Sequence, residues 1–239
     1  MYSAKLNLDV RDMDLFAKIV WTLGRNLPAD RVRGDTLTDI GQLLKADYVA
    51  SYIWDDARST STRCLAHNID TSLLDRYDCQ LESIDFITPT MRKQQGAAAV
   101  DEVIERRTLE TSEFYNTFLA PAGMHHGINI YFFDNHRDVG DLRIWRDKSA
   151  PPFGIRELSL LNALKIYFET ALTQDAALQD ILTRREQEVV SHLRHGLSDK
   201  QIARELGVGF TTIRSHLNSA MHKLDCANRT ELALKLTHG

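Results

Sequence analysis

The chain has 239 residues, 43% hydrophobic and 26% charged, with a formal net charge of −4. That length holds two domains with sizeable cores, and the balance is that of a soluble globular protein. No apolar run nears the ~20 residues of a membrane span and no signal-peptide pattern opens the chain, which predicts a cytoplasmic location and no membrane contact.

Taken in order, the first 178 residues read as one α+β domain. Met1 to Asp9 is a loose lead-in. Leu15, Phe16, Ile19, Val20, Leu23 and Leu27 form a helical stripe closed by Pro28, and a second helix runs from about Arg31 to Lys45. Asp47 to Trp54 is β-rich and ends at the Asp55-Asp56 turn, with Arg63 to Asn68 as its hairpin partner. Asp70 to Leu81 reads as a helix, and a short helix follows around Pro89 to Gln95. Gly96 to Ala99 is a loop or the start of an edge strand reaching Ile104. Thr111-Ser112 caps a helix carrying Phe114, Phe118 and Leu119. Gly127 to Asp134 and Gly140 to Asp147 are two strong strands around the turn Asn135 to Val139. A long helix from Ile155 to Leu178 is apolar on more than one face, so it buries against the sheet and one further surface, a partner subunit being one candidate. Helices around hairpins predict an antiparallel sheet covered on both sides, an α/β/α sensor-like plan.

Residues 179–182 are expected to be a linker, and 183–239 an all-α domain of four short helices. Thr183 with Glu186, and Ser198 with Gln201, are capping boxes. Gly196 stops the first helix, and Gly207-Val208-Gly209 is the turn of a helix-turn-helix. At about 100° per residue, Ile213, Leu217, Ala220 and Leu224 face the core of the third helix. Thr211, Arg214, Ser215, Asn218 and His222 lie opposite, a polar face suited to the DNA major groove. The free N–H groups opening the second helix, with Ser198 and Lys200, suit a phosphate. From Asp180 onward there are nine Lys/Arg and seven Asp/Glu, a charge of +2, against −6 for the preceding residues. So small an excess predicts weak binding by one copy and favours a dimer on two half-sites.

These residues resemble the DNA-binding domain of LuxR-type transcriptional regulators. The motif pieces are Leu182-Thr183-Arg185-Glu186-Glu188-Val189, Gly196-Ser198-Lys200-Ile202-Ala203, Thr212-Ile213-Arg214-His216-Leu217, Lys223-Leu224 and Asn228-Arg229-Thr230-Glu231-Leu232. The resemblance implies base contacts by Arg214, Ser215 and Asn218, with Lys200, Thr212 and Lys223 near phosphates, and pairing of domains through the last helix. Gly209 departs from the family's usual Ser or Thr N-cap, and Asn218 stands where many members carry a cation. Ser112 to Phe133 and Leu142 to Leu164 resemble, more loosely, a LuxR subgroup with GAF-like N-terminal domains. The implied partners are double-stranded DNA with an inverted repeat, a second copy of the chain, a small-molecule ligand and RNA polymerase.

A GAF- or PAS-like sheet can enclose a ligand cavity. Tyr52, Trp54, Tyr77, Asp85, Phe114, Phe118, Ile130, Phe132 and Trp145 are its candidate walls, each of them also a plausible core residue. Quorum-sensing members hold an acyl-homoserine lactone with a Trp, a Tyr and an Asp. Tyr77 and Asp85 can fill two of those places, but Leu73 stands where the family's W-x-x-x-Y has its Trp, and Phe86 replaces the usual Pro. An acyl-homoserine lactone, another small ligand, and a ligand-free dimerising domain controlled by a partner protein all remain open. Cys64, Cys79 and Cys226 fit free thiols. His125 and His126 point to opposite sides of a strand, so no metal site is expected. No cofactor is implied, and without a nucleophile elbow, phosphate loop or paired carboxylates an enzyme is not expected. Asp55-Asp56 lacks the later Asp that a phospho-receiver needs.

Overall fold

Alternating inward and outward side chains on two long hairpins set the N-terminal architecture. The computed structural model describes residues 8–25, 27–55, 58–135, 137–194 and 196–238. Most of the Met1 to Asp9 lead-in, Asp56 of the acidic pair and one residue of the Asn135 to Val139 turn lie outside them. The chain divides into two units, one built on residues up to Thr170 and one from Ala171 onward.

The first unit begins with α1 (Val10–Leu23) and α2 (Ala29–Leu44). Asp9 and Asp12 close a capping box that starts α1 earlier than the apolar stripe suggested. Hairpin β1 (Tyr48–Asp55) and β2 (Thr60–His67) follows. A run of short helical pieces comes next: α3 (Thr71–Arg76), a wide turn at Tyr77–Leu81, α4 (Ile87–Met91), edge strand β3 (Ala98–Ala99), α5 (Val100–Val103) and α6 (Arg106–Thr111). The predicted edge strand through Ile104 is therefore two residues long, because Val100–Val103 closes a helical turn instead. A second wide turn, Tyr115–Leu119, carries Phe118 and Leu119 of the predicted residues, with Phe114 at its N-cap. Strands β4 (His126–Asp134) and β5 (Arg137–Arg146) complete the sheet and pair as far as Asp134 with Arg137, so β5 starts before the expected Gly140.

The sheet order is β2-β1-β5-β4-β3, and its described pairings are antiparallel. Both faces are buried, as the sequence predicted. Phe132 stacks on Phe168 of α7 (Ile155–Ile181) with centroids 4.7 Å apart. On the same side, Arg33 of α2 donates from Nε to Ser51 Oγ (2.9 Å) and from Nη2 to the Ser51 carbonyl (2.6 Å). The other face buries Tyr52, Tyr77, Phe114, Phe118, Tyr131 and Trp145 under the short helical pieces.

Helix α7 is assigned as far as Ile181 and Leu182 packs in the C-terminal core, so the expected linker 179–182 overlaps the end of that helix. No Gly or Pro stands there to end the helix. The second unit carries α8 (Arg184–Arg194), α9 (Asp199–Glu205), α10 (Phe210–Lys223) and α11 (Arg229–His238). Its core is Leu182, Val189, Val190, Leu193, Ile202, Ile213, Leu217, Ala220, Leu224, Leu232 and Leu236, which includes the four residues expected to face the core from the third helix.

Gly127 pairs across the sheet with Trp145. A Cβ there would lie 2.6 Å from the indole ring and 2.7 Å from Val100. Gly127→Ala should displace Trp145 and cost about 1–3 kcal/mol. Chemical denaturation followed by tryptophan fluorescence measures this, with an altered native emission expected.

Candidate functional site

Among the described residues, two gatherings of polar side chains coincide with the sites expected from the sequence. One is the inner face of the N-terminal sheet. The β4–β5 register sets Asn129 opposite Arg143 and Tyr131 opposite Asp141, and the β1–β5 register sets Ala50 beside Arg143. Arg143 is buried and donates to Asp141 Oδ2 from Nε (2.9 Å), to the Tyr77 hydroxyl from Nη1 (3.0 Å) and to Ser61 Oγ from Nη2 (2.7 Å). Its guanidinium stacks 4.3 Å over the Tyr52 ring. Burial pushes the Tyr77 hydroxyl pKa up, so it stays protonated and donates to Asp85 Oδ2 (2.7 Å).

Asp85 also accepts from the Ile87 and Thr88 N–H groups (2.9 and 3.1 Å) and from Thr88 Oγ1 (2.6 Å). It thus caps the start of α4 while facing the sheet. Tyr52, Tyr77, Asp85, Thr88 and Arg143 border a cavity of about 40 Å³, room for a few waters, with Asp141 and Ser61 behind its wall. Ile69 and Met124 line both this cavity and an open groove at the surface.

Of the expected walls, Tyr52, Tyr77, Asp85, Phe114, Phe118 and Trp145 line the cavity. Trp54 lies further along β1, beneath the Arg92 guanidinium (4.2 Å), in an adjoining hollow that also touches Tyr77, Asp85 and Thr88. Ile130 and Phe132 do not line it. They alternate with Asn129 and Tyr131 along β4, so they point to the α7 side of the sheet. Sequence reasoning chose the apolar members of GINIYFF and so took the wrong parity. The wall residues it missed include Asn129, Arg143 and Thr88. The signal was available: Asn129 and Arg143 are polar residues inside apolar strand runs, where a side chain needs a partner or a use.

The second place is α10. Thr211, Thr212, Arg214, Ser215 and Asn218 are exposed, while Ile213, Leu217 and Ala220 are buried. Ser198 and Lys200 are exposed at the start of α9, where the Ser198 N–H donates to Gln201 Oε1 (2.8 Å). Gly209 is an extended N-cap without a side-chain bond, yet α10 still starts at Phe210 because Thr212 and Ile213 N–H groups reach its carbonyl. Lys223 stands apart from the other seven predicted DNA contacts: its Nζ bonds Glu186 Oε2 at 2.7 Å. Glu186 also accepts from Ser219 Oγ (2.5 Å) and the Thr183 N–H (2.7 Å), which ties α8 to α10. Arg229 of α11 donates to the Leu197 carbonyl (2.6 Å) and pairs with Asp199, bracing the start of α9.

Residues 180–236 match a family model described as bacterial regulatory proteins, luxR family. The C-terminal domain is a LuxR-family helix-turn-helix domain, as its motifs implied. Over 207 residues the chain is 26% identical to the monoamine regulon transcriptional regulator of Klebsiella aerogenes, covering 85% of this chain and 89% of that one. The N-terminal fold is similar to that of CepR2 from Burkholderia cenocepacia, an N-acylhomoserine lactone dependent LuxR family transcription factor. That likeness has a TM-score of 0.53 at 18% identity, over 71% of this chain and 99% of CepR2. It is also similar to the GAF domain of a phosphoenolpyruvate-protein phosphotransferase from Coxiella burnetii, with a TM-score of 0.53 at 12% identity, over 70% and 95% of the two chains. At those identities the likenesses establish the GAF-like fold.

Burial would raise the Glu186 pKa, but Lys223, Ser219 and Thr183 outweigh it and pull it down to about 2. A depressed carboxylate pKa adds stability above its unfolded value, and that stability is lost as pH falls through the folded value. Glu186→Gln should therefore flatten the loss of stability between about pH 4.5 and pH 2. Thermal unfolding across that range, beside the parent protein, reads the difference.

Proposed function

We propose that this chain, carrying a LuxR-family helix-turn-helix domain, is a DNA-binding transcriptional regulator that works as a homodimer and senses a small molecule through its N-terminal domain. The observation that carries it is the outer face of α10: four short polar side chains and one Arg, exposed over a buried apolar stripe. Arg214 offers two parallel donors to a guanine edge, and Asn218 one amide to an adenine. Ser198, Lys200 and Thr212 meet backbone phosphates. Lys223 serves the domain first, since its charge is already paired with Glu186.

Two further features support the dimer. The domain's charge excess is small, so two copies reading an inverted repeat supply affinity that one lacks. Apolar side chains also stay exposed on neighbouring helices: Val10, Met13 and Trp21 on α1, and Ile155, Ile166 and Tyr167 on α7. Asp12 and Arg156 join those helices at 2.7 Å. Such a patch suits a second copy of the same surface. A ligand would act by binding one arrangement of the dimer better than the other, and RNA polymerase is the partner through which a bound dimer would act. No helix among the described residues is long and apolar enough to cross a membrane, in keeping with work in the cytoplasm.

An acyl-homoserine lactone is the second reading, favoured by the likeness to CepR2 and by the bonded Tyr77–Asp85 pair.

Arg214→Ala should lose ~1–3 kcal/mol of specific operator affinity with unchanged thermal stability. Footprinting or anisotropy on operators selected from random DNA measures it. An unchanged affinity would leave a dimerisation adaptor in place of a DNA reader. Native mass spectrometry of the protein from its own cells should show a dimer, with extra mass released on denaturation.

A further inference from the structure

Asn129 is 2% exposed, lines the cavity, and its Oδ1 has no hydrogen-bond partner among the described residues. Its Nδ2 turns toward the Tyr131 hydroxyl (3.4 Å), which leaves the acceptor end as the spare group. A buried amide oxygen without a partner costs about 1–3 kcal/mol, so its retention at the cavity wall points to a ligand that donates to it.

The charges beside it run the same way. Asp85 lines the cavity and Asp141 lies behind its wall, with the Arg143 guanidinium between them, 2.8 Å from Asp141 and 4.0 Å from Asp85, while Arg33 pairs with Asp30 on the other face of the sheet. Glu82 adds a third carboxylate on the adjoining hollow. Arg92 does not balance these, because it pairs with Asp138. The charged and hydroxyl donors nearest Asp85 are already committed: Arg143 to Asp141, Tyr77 and Ser61, and Tyr77 and Thr88 to Asp85. A ligand carboxylate would add a further negative charge and find its guanidinium occupied. A lactone would bring several carbonyls to a wall where Arg143, Tyr77 and Thr88 already donate elsewhere. The rest of the lining is aromatic, from Tyr52, Tyr77, Phe114, Phe118 and Trp145, which suits a cation over ring faces.

Building on the sensor function proposed above, we infer that the cavity binds a small protonated amine, its ammonium donating to Asn129 Oδ1 and neutralising the Asp85–Asp141 excess. A short apolar body then lies among Phe114, Phe118 and Trp145. The cavity's size keeps that body to a few carbons.

The test is thermal unfolding of the full-length protein with matched probes. These are n-butylamine and isobutylamine as cations, butyrate and isobutyrate as anions, and γ-butyrolactone as a neutral lactone probe. The amines should raise Tm by about 2–4 °C at five times Kd, and the other probes should not. Asn129→Leu should raise the ligand-free Tm, because it removes the unpaired amide, and abolish the amine shift. Asp85→Asn should weaken that shift. An equal or larger shift with an anion or the lactone overturns the amine assignment and leaves a sensor of another ligand. Silence from both amines also overturns it. The sensor reading falls as well only if the protein from its own cells releases no small molecule on denaturation.

Discussion

The guanidinium of Arg143 holds the inner face of the N-terminal sheet in one arrangement. It joins β5 to β2 through Ser61 and to the Tyr77–Leu81 turn through Tyr77, while lying flat on Tyr52 of β1. A buried cation is tolerated only when its hydrogen bonds are met and its charge is paired. Asp141 does both, two residues away on the same strand face, and its other oxygen accepts from the Tyr52 N–H (2.6 Å). Once that set is in place, Tyr77 is oriented toward Asp85, and Asp85 starts α4. The cavity is what remains between this polar set and the aromatic residues of the covering helical pieces.

The same logic runs through the helix-turn-helix with different residues. Glu186 accepts from α10 at two points, Ser219 and Lys223, and closes its own capping box through Thr183. One carboxylate therefore fixes the start of α8 and the angle of α10 against it. Arg229 does the corresponding work for α9. The reading helix is held from behind by these bonds and by Ile213, Leu217 and Ala220, which leaves its outer face free of structural duties. A face with no packing role can change its side chains, and so its base preference, without unfolding the domain.

Charge ties the two proposed activities together. A sensor domain at −6 repels DNA, and a reader at +2 attracts it weakly. In the proposed dimer, affinity depends on pairing two readers, and pairing is what an N-terminal domain with exposed apolar helices can govern. A cation entering the cavity would also reduce the sensor's negative charge, although it is buried and acts mainly through local structure. Its leverage on DNA binding is limited to the difference in its affinity for the two dimer arrangements.

The chain itself specified most of the C-terminal domain. Its helices obey one period and their ends carry capping residues. Buried and exposed positions follow from spacing, which by itself puts Ile213 and Arg214 on opposite faces of one helix. The two hairpins and the long helix were legible in the same way. The stretch between Ala98 and Thr111 was not, because helices of four and six residues and a two-residue strand are too short to show a period. Nor did spacing reveal which parity of β4 faces the covering helices. Both faces of the sheet are buried, so the usual alternation of polar and apolar residues is nearly erased. Asn129 and Arg143 carried the remaining trace of it. Only the tertiary structure decided that these two stand opposite each other, with Asp85 brought within 4.0 Å of Arg143 from a separate segment. Strand register and chain packing bring distant residues together and leave no mark on either segment taken singly.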